Sequence, residues 1–278
     1  MFASTHLYRY GQLAVCLLSL LFLGLPAKAQ VGLGLAPMRL EFPMNPGQQQ
    51  SGSLTLSNDS SARVRIRAQI LDFTVDATAT PQFEADLPGE AVSSCRSWLS
   101  LNPMEIEAAP RTQVPVRFTL RAPAGVKEGS YHCAAGFVTL PPAEETKSSG
   151  IRTAVRVVAA FYIVIGHPAV DGAIKQITVE PIKQDKPDAP AWQAVVVIGN
   201  RGRMHFRPVG TLAVLDSSDK AVETLDFQSL PVLPEREQRF LFPLRTDLEK
   251  GSYKLRVLVD SGTGEVQQAI VQIGTKSK

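Results

Sequence analysis

At Ser53-Leu54-Thr55-Leu56-Ser57 apolar and polar residues alternate one by one, and the run stops at the turn-forming cluster Asn58-Asp59-Ser60-Ser61. Arg63-Val64-Arg65-Ile66-Arg67 sets charge against β-branched residues in the same way, and Val114–Leu120 and Arg236–Leu244 repeat the pattern. A period of two puts every second side chain on one face, so each run reads as a half-buried strand of an antiparallel sheet. No long stretch has a helical period; Ser94–Leu99 has room for one helical turn. Gly and Pro, 20 of each, punctuate the runs at the spacing of a sandwich. The chain is therefore expected to be all-β.

The N-terminus is of a different kind. Arg9 is the one charge in residues 1–12, and an apolar run follows from Leu13 to Leu25. That is the length of the apolar core of a secretory signal and short of the roughly 20 residues that span a bilayer. Pro26 breaks the run, and Ala27-Lys28-Ala29 places small residues where signal peptidase needs them. Residues 1–29 are expected to be a cleaved signal peptide and Gln30 the mature N-terminus. A lipoprotein reading of Leu13-Ala14-Val15-Cys16 is disfavoured because the apolar core follows the cysteine; an uncleaved anchor is the other alternative. Removing 29 of 278 residues leaves 249, enough for two ordinary domains. Arg9 and Lys28 leave with the signal, so 27 basic residues face 26 acidic ones. This balance, without a basic stripe, argues against nucleic acid as a partner. No later apolar run predicts stable membrane insertion.

The boundary between domains is read at Gly166-His167-Pro168, where the strand-like run from Ile151 to Ile165 ends. Domain one is assigned to residues 30–166 and domain two to 168–275. Val126-Lys127-Glu128-Gly129-Ser130-Tyr131-His132-Cys133 is echoed by Leu248-Glu249-Lys250-Gly251-Ser252-Tyr253-Lys254-Leu255. A Tyr two residues before an inward-facing position marks the start of a late strand in immunoglobulin-like sandwiches, its hydroxyl bonding back to the backbone. The expected architecture is two tandem immunoglobulin-like β-sandwich domains. Cys95 and Cys133, the pair remaining after processing, are expected to form a disulfide in an oxidising compartment, with two buried thiols as the alternative. Cys95 lies off the second strand, so the bridge would tie the late strand to the segment before Trp98.

Residues that could do chemistry are scattered. His132, His167 and His205 lack metal-ligand spacing, and no cofactor motif occurs. Gly32-Leu33-Gly34 lacks the next glycine of a phosphate turn. Ser217-Ser218-Asp219-Lys220 matches S-x-x-K only formally and reads as a hairpin turn. Asn58-Asp59-Ser60 is formally a glycosylation sequon but reads as a side-chain-capped turn. No enzyme activity is expected.

The order of motifs along the mature chain resembles the PapD-like periplasmic chaperones of pilus (fimbrial) assembly. Ala36-Pro37-Met38-Arg39-Leu40 is similar to that family's first strand, with its early basic residue, and Leu54–Asn58 to its second. Leu101-Asn102-Pro103 with Pro110 and Gln113, Ala154-Val155-Arg156 followed by Phe161-Tyr162, and Asn200-Arg201-Gly202 to His205 continue the likeness in order. The resemblance implies a periplasmic chaperone that caps pilin-like or similar β-rich subunits by strand donation, in which backbone hydrogen bonds supply affinity and alternate side chains fill the open groove. It extends the partners to an outer-membrane usher. It implies that Arg39 holds a client carboxylate; the family's partner Lys falls at Ala159, and no lysine lies between Ile151 and His167. Two registers of the donor strand stay open. One turns Gly150, Arg152 and Ala154 to the client, the other Ile151, Thr153 and Val155, which are taken with Arg39 as client-binding residues. The alternative function is an exported immunoglobulin-like structural or adhesion module.

Overall fold

The computed structural model describes residues 32–85, 87, 92–141, 154–184, 186 and 189–273. The expected signal peptide lies outside them. Four sheets form two sandwiches. In the first sandwich one sheet runs β1 (Leu33–Ala36), β3 (Gln49–Asn58), β8 (Thr112–Arg121), β6 (Leu99–Asn102). The facing sheet runs β2 (Arg39–Met44), β10 (Arg156–Ile165), β9 (Gly129–Thr139), β4 (Val64–Val75), β5 (Pro81–Glu84), with β7 (Glu105–Ala108) also on β4. The second sandwich sets β11 (Gly172–Pro181), β12 (Trp192–Asn200) and β15 (Glu237–Leu244) against β14 (Ala221–Asp226), β13 (Val209–Leu215), β16 (Tyr253–Asp260) and β17 (Val266–Ile273). The fold is the expected pair of immunoglobulin-like sandwiches.

The alternating runs become strands whose inward residues fill the cores. Leu54, Leu56, Ile66, Val116, Phe118 and Leu120 are buried in the first sandwich. Phe118 meets Phe161 edge-on at 5.1 Å between ring centroids, joining the two sheets. Val196, Phe240, Phe242 and Leu255 do the same in the second. β9 departs from alternation: Gly129–Phe137 is buried at every position. Its inner face meets the core and its outer face lies beneath an apolar cluster of Leu71, Phe73, Tyr162 and Leu233.

The Tyr motif is realised in the first sandwich, where the Tyr131 hydroxyl donates to the Lys127 carbonyl at 2.9 Å. Cys133, two residues on, is wholly buried and disulfide-bonded to Cys95. The bridge ties β9 to the segment before a single 3-10 turn, Arg96–Trp98, and Trp98 packs on Tyr131 at 4.6 Å. Gly166, in the segment between the sandwiches, has φ +72°, a left-handed conformation that suits glycine.

Asparagines at equivalent strand ends stitch both sandwiches. The Asn58 side-chain amide donates to the carbonyls of Ala62 (2.8 Å), Ala108 (3.1 Å) and Ala109 (3.0 Å), while its oxygen accepts from the Ser60 backbone. Asn200 donates to Met204 (2.7 Å) and Val232 (3.2 Å) and accepts from Gly202. The Asn58 turn is thus side-chain-capped as expected, with Asn58 itself buried. The Ser217–Lys220 segment is likewise a turn, closed on the Asp216 carboxylate. Asn58→Ala leaves three carbonyls without the amide, that of Ala108 buried, and should cost about 2 kcal/mol. Urea unfolding checks this; an unchanged midpoint would show the amide to be dispensable.

Candidate functional site

The pairing of β10 changes along its length. β9 accompanies it antiparallel throughout, from Arg156↔Val138 to Ile165↔Gly129. β2 joins the other side in parallel only from Ala160↔Arg39 to Ile165↔Met44. Among the described residues no strand pairs with that side of Arg156–Ala159. The first contact is Ala160 N–H to the Met38 carbonyl, at 2.9 Å. Val155 bonds the other way, donating to Thr139 Oγ1 at 3.0 Å and accepting from Thr139 N–H at 2.9 Å. Peptide groups alternate sides along a strand, so those of Arg156 and Val158 point to the open edge.

β2 stops here because the chain changes sheets. β1, just before it, pairs with β3 in the opposite sheet. Arg39 therefore stands at the corner where the open edge begins. Its side chain is exposed, with Nε 3.6 Å from Glu41. Val155 lies five positions before Ala160, about 17 Å along the strand. Val157, Ala159 and Phe161 pack on the first core and Val158 and Ala160 on the outer cluster, so Val155 shares the core-facing row by parity. It is half-buried, and Ala154 is exposed. Ile151 and Thr153 lie outside the described residues. β10 begins at Arg156, later than the expected Ile151. Ala159, where the resemblance sets a lysine, is wholly buried on the core-facing row, so a cation there would lie in the core.

Between the sandwiches, β2 and β10 meet the second sandwich in a polar cluster that the sequence did not disclose. Glu41 pairs in register with Tyr162. Arg207, from the second sandwich, donates to Glu41 Oε1 at 3.0 Å and lies over the Tyr162 ring, 4.6 Å from its centroid. The Tyr162 ring also stacks on His205 at 4.5 Å and meets Phe73 edge-on at 5.5 Å. His205 Nδ1 is hydrogen-bonded to Ser130 Oγ, and Ser130 N–H donates to the Arg203 carbonyl at 2.8 Å. His205 is 3 % exposed. Burial pushes its pKa down to about 3, with Arg207, His132 and Arg39 acting the same way. Burial pushes the Tyr162 phenol up to about 12. Ser130 and His205 have the composition of a nucleophile and its base, but both are buried in the joint. Their arrangement holds two surfaces together. The one signal in the sequence was parity, with Arg39 and Glu41 on one face of a strand and His205 and Arg207 spaced alike. Nothing in it placed the two pairs side by side.

No described helix is long and apolar enough to cross a membrane. Among the described residues no three His, Cys, Asp or Glu side chains gather in a way that could hold a metal ion.

No family model and no curated protein matches the chain. Among solved structures it is similar to the class 5 fimbriae chaperone CfaA, at 12% identity, covering 87% of this chain and 98% of that one with TM-score 0.46. It is similar also to the E. coli chaperone DraB (13%, 87% and 98%, TM-score 0.43) and the Pseudomonas aeruginosa CupB2 chaperone (12%, 86% and 100%, TM-score 0.42). The resemblance is distant, and at these values function has to be argued from geometry.

His205 is neutral in the fold and takes a proton readily once exposed. A base whose folded pKa is lowered contributes stability that is complete above its unfolded value, near 6.5, and is lost as pH falls toward about 3. Stability should fall by about 1.4 kcal/mol per pH unit in that window from this group alone. His205→Gln should flatten that slope, as urea midpoints between neutral pH and pH 4 would show. An unchanged slope would mean that another group titrates.

Proposed function

We propose that this chain is a periplasmic chaperone that caps exported β-rich, pilin-like subunits by lending them the open edge of β10. The observation that carries this reading is the halt of β2 at Arg39. It leaves Arg156 and Val158 with outward-facing peptide groups beside the cleft. An unpaired strand edge is a template for another chain, and the partner it suits is a sheet that lacks a strand. The chain has no need of a cofactor in this role and would act without catalysis.

The row of Val155, Val157 and Ala159 supports the second of the two donor registers. Side chains on this row point into the space between sheets. Continued backward through Thr153 and Ile151, the row would enter the interior of an incomplete client sandwich. Arg39 at the corner would meet a client carboxylate by charge-assisted hydrogen bonds, worth about 1.5–3 kcal/mol.

Co-purification of a tagged chain from the periplasm tests the reading. Wild type should retain one exported β-rich partner. Val155→Asp puts a charge on the donor row and should reduce retention severely, by roughly a hundredfold if the charge is buried unpaired. Arg39→Ala should reduce it moderately, by roughly tenfold. Both variants should keep the wild-type circular dichroism. A double variant that captures its partner as wild type does would sink strand donation and leave an exported structural or adhesion module.

A further inference from the structure

The edge strands of the two sandwiches are guarded, with one exception. β1, β5, β6 and β7 have four residues each. β2, β11 and β15 contain both proline and charge, and β14 carries Glu223 and Asp226. Brevity, proline and charge are what keep an exposed strand edge from pairing with another chain. β17 has none of them. Its eight residues, Val266–Ile273, include no Pro, Gly, Lys, Arg, Asp or Glu. β16 pairs with one side of it from Tyr253↔Ile273 to Asp260↔Val266. Near its start the Gln267 side chain donates to the Gly172 carbonyl at 2.6 Å and accepts from Ile174 N–H at 3.3 Å, tying β17 to β11 of the facing sheet. Beyond that tie, among the described residues, no strand pairs with the side of Gln268–Ile273 that faces away from β16.

The composition of the strand says which partner fits this edge. Ile273 packs on the second core, so Ala269 and Val271 share its inward row and Gln268, Ile270 and Gln272 face outward. Ile270 is 51 % exposed. Turned end for end about Ile270, the strand matches itself. Ile270 meets Ile270 of a second copy, Gln268 meets Gln272, and Ala269 meets Val271. A side-chain amide carries donors and an acceptor, so it pairs with another amide. Like charges directly opposite each other destabilise a strand pair, and this strand has no charge to oppose.

We infer that β17 is a self-association edge, at which two copies of this chain pair antiparallel about a two-fold axis at Ile270 and join their four-stranded sheets into one. A two-fold pairing uses both edges and closes on itself. The outer strands of the joined sheet are then the two copies of β14, guarded by Glu223 and Asp226, so assembly stops at the dimer. The pairing uses no residue of β10. It is therefore independent of the client reading above, and each copy brings its own open β10 edge. One strand pair is a small interface of the transient class, so copies exchange.

Sedimentation velocity of the full mature chain, over a concentration series reaching about 1 mM, reads the dimer directly. Wild type should pass from monomer to dimer as concentration rises. Ile270→Lys and Ile270→Glu each set like charges on the axis and should each lose the dimer. An equimolar mixture of the two sets an ammonium opposite a carboxylate and should regain it. Both variants should keep the wild-type circular dichroism, since the side chain is half exposed. Amide exchange of the wild type needs no variant: amides of Gln268–Ile273 that point away from β16 should slow at the high end of the series. The inference is overturned if wild type stays monomeric throughout, if the dimer survives both substitutions, if the mixture stays monomeric, or if those amides do not slow. A dimer lost in Val155→Asp but kept in Ile270→Lys would mean that copies pair through β10, which also overturns it.

Discussion

Each interior strand of a sheet satisfies its peptide groups on two sides; among the described residues β10 does so for only part of its length. The cause lies in the first strand of the chain, which serves both sheets. β1 closes one sheet against β3 and β2 closes the other against β10, and the crossing between them consumes the residues that would have covered Arg156–Ala159. The corner at Met38–Arg39, the exposed cation there and the neighbouring cleft follow from that crossing. An uncovered edge is a liability in an ordinary sandwich. Here it lies next to a half-buried apolar row, which favours pairing with another strand over solvation.

The joint between the sandwiches is held by groups costly to bury singly and tolerable together. The guanidinium of Arg207 loses water but gains the Tyr162 face and the Glu41 carboxylate. His205 gives up its charge and spends Nδ1 on Ser130. Leu233 adds an apolar contact on Tyr162 and Phe73. Because Tyr162 belongs to β10, the strand proposed to meet the client is also the strand on which the second sandwich rests. Events at the edge and at the joint therefore share a rigid element.

Much of the fold was legible because half-buried strands declare themselves by parity. Leu54 and Leu56, Val64 and Ile66, and Phe240 and Phe242 fall on inner faces as their alternation implies. Tyr131, two residues before Cys133, announced β9 through spacing, and its bridge was expected because Cys95 and Cys133 are the pair remaining after processing. β9 itself was hard to delimit, since both of its faces are covered and alternation vanishes. The start of β10 was set too early, at Ile151, because β-branched residues raise strand propensity whether or not a partner strand is present. At the site, Arg39 was visible through its position in the first strand. Arg207 and His205 were not, because their role depends on how one sandwich leans on another, a tertiary relation that no local period encodes.

Amide exchange along β10, resolved by residue, tests the open edge most directly. In the chain alone Val157 and Ala159, whose N–H groups face β9, should exchange slowly, whereas Arg156 and Val158 should exchange orders of magnitude faster. Binding of a client strand should slow Arg156 and Val158 to the level of their neighbours. If these two amides are already as protected as Val157 and Ala159 without a client, or stay fast when one is bound, the edge is not where a partner pairs.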